Sequence, residues 1–261
     1  MSRPVPPDLP SGVDAPGGAW AVEVRRGSAA ELHAVSAASV AAPTVRKVVV
    51  NEVEAPALVL GSTQSPELLR PEVRGAAETG AGPAVVRRRS GGGLVPLSPG
   101  AQLWVDVVVP AGDSVWNDDA TLAARRAGRW WVDALVVEGA DPELVRTDQD
   151  SRGRPANDRE LGRVVCFAGI GPGEVEVAAD DGIWWKTVGF SQRRTRHGAV
   201  LQCLVPRRWD HDTLVAALDP EVVGAALVKD LHDALLVGAS PGIGDEADGL
   251  LTAFLAVLSG V

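Results

Sequence analysis

The apolar positions of this chain change period along its length, and each change predicts an element. β-branched and apolar runs at Trp20 to Val24, Val45 to Val53 and Ala57 to Leu60 predict strands. Between the first two, Ser28-Ala-Ala-Glu31 is a capping box that opens a helix to about Ala41, with Leu32, Val35, Ala38 and Ser39 on its inner side. Gly61 breaks the pattern, and Ser65-Pro66-Glu67 opens a helix that ends before Gly80. Ala84 to Arg87 and Gln102 to Val109 predict two strands on either side of a glycine-rich reversal. Asp113 or Ser114 caps a longer helix, with Trp116, Ala120, Ala123, Ala127, Trp130 and Leu135 on one face and Gly139 as its C-terminal stop. Residues 140–162 are polar without sustained period, the mark of a surface loop. Arg163 to Ala168, Glu174 to Ala178, Ile183 to Phe190 and Ala199 to Val205 predict further strands, with Asp181-Gly182 as a hairpin turn. The tail reads as helical, from Asp219-Pro220 to about Leu236 and from Asp245 to Leu258.

The pattern describes an α+β (α/β-like) fold with mixed, mainly antiparallel sheets flanked by helices and a short helical C-terminal end. At 261 residues the chain holds one large domain or a domain with a small appendage. Hydrophobic residues make up 46% and charged ones 23%, values ordinary for a soluble globular protein. The Pro/Gly-rich residues 1–19 predict a disordered segment without the apolar run of a signal peptide, and no stretch is long enough to span a membrane. A cytoplasmic protein is expected. A net charge of −9 argues against nucleic-acid binding, although arginines cluster at 87–89 and 193–196. Lysine is scarce, with Lys47, Lys186 and Lys229 against 22 arginines. Cys166 and Cys203 make no disulfide scaffold, and no metal-type pairing with histidine is visible.

Two stretches carry candidate chemistry. In the first, Gly91, Gly92 and Gly93 follow Arg87, Arg88, Arg89 and Ser90. Without Cβ atoms a ligand can lie on that backbone, and guanidinium forks suit carboxylates and phosphates; the bland reading is a flexible turn with a solvated basic edge. In the second, Lys186 lies in mid-strand beside Trp184 and Trp185. Such an ammonium either meets an anion, where it can stabilise developing charge, or snorkels to solvent. Cys166 ends an apolar run and reads as a small hydrophobe unless its thiol is exposed and activated, and Cys203 reads as core. His33, His211 and His232 read as surface histidines, and the 193–196 cluster as solvated charge.

The two stretches together resemble the lipoate–protein ligase A and octanoyltransferase family of the biotin/lipoate protein ligase superfamily. Arg87, Arg88, Ser90, Gly91, Gly92, Gly93 and Val95 match its arginine–serine–triglycine block; Gly61, Gln64 and Pro66 match an upstream strand-to-helix turn. Lys186, Gly189, Ser191, Gln192 and Arg194, followed by His197 and Gly198, match a downstream block. The blocks occur in family order over about residues 45–205. The resemblance implies a class II aminoacyl-tRNA synthetase/biotin protein ligase-like catalytic domain at 20–205, followed at 206–261 by a helical extension packed on the same domain. It further implies that Gln64, Arg87, Arg88, Ser90, Gly91, Gly92, Gly93, Gly189, Ser191, Gln192, Arg194, His197 and Gly198 help bind substrate and nucleotide, and that Lys186 is catalytic. No metal ligands are assigned.

The activity so implied is attachment of a lipoyl or octanoyl group to a lysine of a lipoyl carrier domain, that of a 2-oxoacid dehydrogenase or of the glycine cleavage H protein. ATP and magnesium would serve as cofactors and lipoic or octanoic acid as substrate. Departures leave alternatives open. Val95-Pro96-Leu97-Ser98 lacks a histidine common in the ligases, Pro99 to Leu103 is similar to an octanoyltransferase run, and few residues follow Val205. Cys166-Phe167 is similar to a Cys-Phe of cysteine-dependent octanoyltransferases, in which a thiolate takes the acyl group from acyl carrier protein. A non-catalytic acyl-binding paralogue is the third reading, and biotin as acyl group a lesser one.

Overall fold

The computed structural model describes residues 20–149, 158–179, 182–208, 210–238 and 247–261. The expectation for residues 1–19 and the Asp181 half of the hairpin turn lie outside them. A seven-stranded sheet runs in the order β1 (Ala21–Gly27), β2 (Lys47–Val53), β6 (Gln102–Pro110), β10 (Gly198–Pro206), β9 (Trp184–Thr195), β8 (Val175–Ala178), β7 (Val145–Thr147). Only β1 and β2 are parallel; all other neighbours are antiparallel. A parallel pair requires a crossover, and α1 (Ala29–Ala38) provides it from the capping box at Ser28 and Glu31. A second sheet of three strands has the order β4 (Ala84–Arg87), β3 (Ala57–Leu60), β5 (Val95–Leu97).

Strand alternation lets the small sheet serve two cores. Val59, Val95 and Leu97 pack with Leu32 of α1 and Trp104 of β6. Leu58 and Leu60 pack instead with α4 (Asp158–Val164), α5 (His211–Ala217) and α7 (Ala225–Gly238) through Leu161, Leu214, Leu231 and Leu235. The large sheet buries its remaining face against α3 (Ala120–Val137) and α8 (Ala247–Ser259). There Trp131 stacks on Phe254 at a centroid distance of 4.0 Å.

Several local readings are corrected. Ala84–Arg87 and Gln102–Pro110 do not form one hairpin: β4 pairs with β3, β6 joins the large sheet, and the short β5 intervenes. The run from Arg163 is no strand but the end of α4 and a 3-10 turn at Cys166–Ala168, because Gly93 and Leu94 hold it edge-on. The 140–162 segment contains β7 and the start of α4. α3 is capped by Asp119, whose carboxylate accepts from Thr121 and Leu122 N–H, so the 113–118 turn precedes it. The Ser65 helix divides into a 3-10 turn and α2 (Pro71–Glu78), and the Asp219 helix into α6 (Pro220–Val223) and α7 at Gly224, whose φ is 95°. α1 turns Ala29, Leu32, His33 and Ser36 inward, while Val35 is exposed.

The Trp131–Phe254 stack ties the last helix to the core. Phe254→Ala should cost about 3–5 kcal/mol, the usual range for a buried aromatic, measured by urea unfolding; a loss below about 1 kcal/mol would show that α8 adds nothing to the core.

Candidate functional site

The triglycine stretch is filled by the chain itself. A Cβ on Gly61 would stand 1.9 Å from the Gly92 carbonyl, and one on Gly93 would stand 2.7 Å from Cys166 N and from Gly162 O. The missing side chains let three backbone segments touch. Leu94 N donates to Val164 O at 2.8 Å, and Cys166 N donates to Leu94 O at 3.1 Å. Gln64 closes the seam, donating to Arg163 O and Val164 O while its Oε1 accepts from Gly61 N. Arg88 is buried and donates to the carbonyls of Val59, Gly91 and Gly93. Burial lowers its pKa. Arg88 and Gln64 therefore hold the loop, whereas Arg87, Arg89, Gly91 and Gly92 face solvent.

Lys186 does not snorkel: its side chain is 1% exposed. Its Nζ lies 2.6 Å from Glu174 Oε2 and donates to Cys166 O and Gly169 O at 2.5 and 2.8 Å. The Cys166 Sγ is 3.8 Å away. A register shift delivers this geometry. Val175 pairs with Val188, yet the next residue, Glu176, pairs with Lys186, so β9 carries one extra residue there. The bulge reverses alternation and puts Lys186 on the face of Gly189 and Ser191. Gly189 leaves room beneath Cys166, since a Cβ there would meet the Phe167 ring at 3.1 Å and Cys166 Sγ at 3.5 Å. Glu174 is fixed in turn by N–H donors of Gly171 and Phe190. Burial raises the Cys166 pKa more than the Lys186 and Arg88 charges lower it, so the thiol rests protonated.

Cys166 opens on a cavity of about 40 Å³ between the two sheets, lined by Val59, Val95, Leu97, Trp104, Phe190 and Leu204 and by the polar groups of Arg88, His33, Ser191 and Gln202. At roughly 10–15 Å³ per water this holds about three waters. Beneath it runs a buried network. Ser90 Oγ donates to Gln202 Oε1 at 2.5 Å and meets Ser191 Oγ at 3.0 Å; Gln202 Nε2 donates to Ser36 Oγ and approaches His33 Nδ1. Trp104 lies 4.4 Å from the His33 ring and donates from Nε1 to Asp106 at 2.7 Å. Burial, with help from the Arg88 charge, pushes His33 down to about 3. Burial pushes Asp106 up to about 6, and hydrogen bonds from Ser36 and Trp104 only partly offset it.

The structure thus joins Gln64, Arg88, Ser90, Gly92, Gly93, Cys166, Lys186, Gly189 and Ser191 around one seam. It places four expected site residues elsewhere. Gln192 donates to Ala120 O, and Arg194 binds Asn117 O and lies 4.3 Å from the Trp116 ring, at the start of α3 on the opposite face of β9. His197 is exposed in the β9–β10 turn, and Gly198 packs on Pro43. That turn is eleven residues beyond Lys186, roughly 35 Å along the strand at about 3.3 Å per residue. Sequence reasoning undervalued Glu174, His33, Gln202 and Asp106; the signal was a polar residue inside an apolar strand or on the 29–32–36 stripe of α1. His33 is buried, not a surface histidine. A larger groove of about 730 Å³ lies on the other face of the small sheet, walled by Leu58, Pro96, Val73 and Leu214 and away from Lys186.

No family model matches the sequence, and no curated protein matches it. Solved structures match the fold. The chain is similar to the structure of a bi-partite lipoate protein ligase and its E2 lipoyl domain from Thermoplasma acidophilum, with a TM-score of 0.58 and 13% identity over 92% of this chain and 82% of that one. It is similar to lipoate-protein ligase A bound with ATP, with a TM-score of 0.51 and 16% identity over 90% and 93% of the two chains. LipL1 of P. falciparum in complex with lipoate matches at a TM-score of 0.50 and 11% identity, over 90% and 71%. The mixed sheets and flanking helices are therefore the fold of lipoate–protein ligase structures; at these identities the likeness is one of fold.

The buried network has a pH signature. His33 is neutral in the fold but titrates near 6.5 in an unfolded chain, so the stability tied to it is present above that pH and lost as pH falls toward 3. Asp106 stays protonated in the fold up to about 6 but ionises near 3.9 when unfolded, so its contribution is present in acid and lost as pH rises through about 6. Asp106→Asn should steepen the fall in stability from pH 6.5 to 4, and His33→Gln should flatten it. Urea melts across this range read both; identical slopes in parent and variants would remove the network from the acid response.

Proposed function

We propose that this chain attaches a lipoyl or octanoyl group to a lysine of a lipoyl carrier domain. The observation that carries this reading is a buried ammonium, Lys186, beside a cavity that combines apolar walls (Val59, Val95, Leu97, Trp104, Phe190 and Leu204) with a polar floor of Arg88, His33, Ser191 and Gln202. The likeness to a lipoate protein ligase analysed with its E2 lipoyl domain supports a lipoyl carrier as partner. The 2-oxoacid dehydrogenase and glycine cleavage H carriers are the candidates within that class.

The ligase route is preferred. It is supported by the ATP-bound and lipoate-bound structures that share the fold and by the resting thiol of Cys166. Exposed Arg87 and Arg89 beside Gly91 and Gly92 offer cationic forks and open backbone to a triphosphate. On this route the lipoate carboxylate would attack the α-phosphorus of ATP, giving lipoyl-adenylate and releasing pyrophosphate; the carrier lysine would then take the acyl group and release AMP, and magnesium would enter with the nucleotide. Lys186 would donate to the acyl carbonyl or phosphate oxygen as negative charge grows there, with Glu174 and the Cys166 and Gly169 carbonyls holding Nζ in place. Arg88, Gln64 and Ser90 act as positioning residues for the glycine loop. Gln192, Arg194, His197 and Gly198 lie at or beside the β9–β10 turn, away from Lys186, where in this reading they would contact the carrier. Residues 20–261 work as one unit in this reading, because helices of the tail complete both cores.

A second reading, the cysteine octanoyltransferase, is favoured by one contact: Cys166 Sγ faces the cavity 3.8 Å from Lys186. There the thiolate would attack an acyl thioester of acyl carrier protein, displace its thiol and pass the acyl group to the carrier lysine.

Intact-mass measurement of a lipoyl carrier domain separates the routes. With lipoate or octanoate and ATP, the protein should modify the carrier; Lys186→Ala should slow this about 10²–10³-fold, the usual effect of losing one donor to a developing oxyanion, while Cys166→Ser retains it. Circular dichroism must show both variants folded. Modification from octanoyl carrier protein without ATP, lost in Cys166→Ser, would replace the ligase route. An unmodified carrier under both conditions, with acyl binding in calorimetry, would leave the paralogue reading.

A further inference from the structure

Two of the four histidines meet on the helical tail, far along the sequence from the acyl site. His211 and Asp212 open α5, and His232 lies in the middle of α7. The helices pack through Leu214, Leu231 and Leu235, and this brings the imidazoles together. His211 Nε2 lies 3.3 Å from Asp212 Oδ1, and His232 Nδ1 lies 3.6 Å from the same oxygen. All three donor atoms fall within 4.8 Å of one another. Tetrahedral bonds of about 2.0–2.1 Å to zinc separate ligand atoms by about 3.3–3.4 Å. Two edges of such a tetrahedron are therefore close to their final length, and a small rotamer change closes the third.

The surroundings fit a cation. His211 Nε2 is screened from solvent, yet no described group makes a hydrogen bond with it. Asp210 is committed to capping Thr213, which leaves Asp212 as the carboxylate between the rings. Lys229, one turn before His232, is paired with Asp233 and brings no net repulsion. We infer that His211, Asp212 and His232 form a binding site for a divalent transition-metal ion of the zinc type, with water in the remaining position. Two imidazoles and one carboxylate select such an ion over magnesium or calcium, which prefer oxygen donors throughout. Sequence spacing predicts no site because the imidazoles come from separate helices. Bound metal would fasten α5, one wall of the large groove, to α7.

The test uses the full chain at neutral to slightly alkaline pH. Zinc titration by calorimetry should give one equivalent per chain, and cobalt should give the intense visible absorption of four-coordinate Co²⁺. Loss of even an outer partner of a metal site costs about 10–100-fold in affinity, so His232→Ala should weaken zinc by at least about 100-fold, and Asp212→Asn by at least about 10-fold. Asp212 is exposed and His232 only half-buried, so circular dichroism should find the variants folded. Cys166→Ser should bind like the parent. Absence of binding, unchanged affinity in His232→Ala, or loss of the ion in Cys166→Ser would overturn the proposal.

Discussion

An ammonium taken wholly out of water is the constraint around which this molecule is built. Lys186 has exchanged its hydration for one carboxylate and two carbonyls, all supplied by the turn between Cys166 and Glu174. Transferring an unpaired ammonium to such a place would cost several kcal/mol, and removing one partner of a buried pair typically costs about 3–5 kcal/mol. The turn must therefore keep its conformation, and much nearby geometry follows. Gly189 is bare so that Phe167 and Cys166 can lie over β9. The bulge in β8–β9 falls between the Val175–Val188 and Glu176–Lys186 pairs, and there it aims Lys186 toward the seam between sheets.

The glycines belong to the same requirement. Gly61, Gly92 and Gly93 let the strand-end turn, the arginine loop and the 162–166 segment approach at backbone contact, which no other residue would allow. Arg88 and Gln64 then satisfy carbonyls that this close packing removes from water. The arginine–serine–triglycine motif thus has two jobs divided by strand alternation. Arg88 and Ser90 face inward and hold the loop, and Arg87 and Arg89 face outward and are free to meet an anion.

Strand identity was legible where apolar runs were uninterrupted, as in β2, β3, β6 and β10, because both faces of these strands are buried. Pairing was not. Nothing local to Ala84–Arg87 and Gln102–Pro110 distinguishes a hairpin from two strands in different sheets; tertiary packing decides. Arg163 to Ala168 has strand composition but is held as helix end and 3-10 turn by Gly93 and Leu94, contacts made some seventy residues away. The proximity of Cys166 to Lys186 was legible only through family resemblance. The need of that mid-strand lysine for an anion was open to direct reading, but the sequence did not choose between Glu174, just before β8, and Glu176 within it. His33 was misjudged because α1 has almost no amphipathic contrast: alanines on every side hide which face is buried.

The small cavity at Cys166 bears on selectivity. Its space suits about three waters, far less than an eight-carbon chain, so on the proposed function an acyl ligand would have to part the two sheets along Val59, Val95 and Leu97 on one side and Trp104 and Leu204 on the other. Separating these walls uncovers apolar surface at about 25 cal/mol per Å². An alkyl chain covers that surface again and offsets the cost; a polar molecule of equal size does not. The opening must also respect the Ser90–Gln202 hydrogen bond, which pins the glycine loop to β10 at the cavity floor. Parting would be easiest on the apolar side, and on the proposed function this would leave the carboxyl end of an entering chain beside Lys186. On the proposed function, the same seam that seals the lysine from water would select a ligand with an apolar tail and an anionic head.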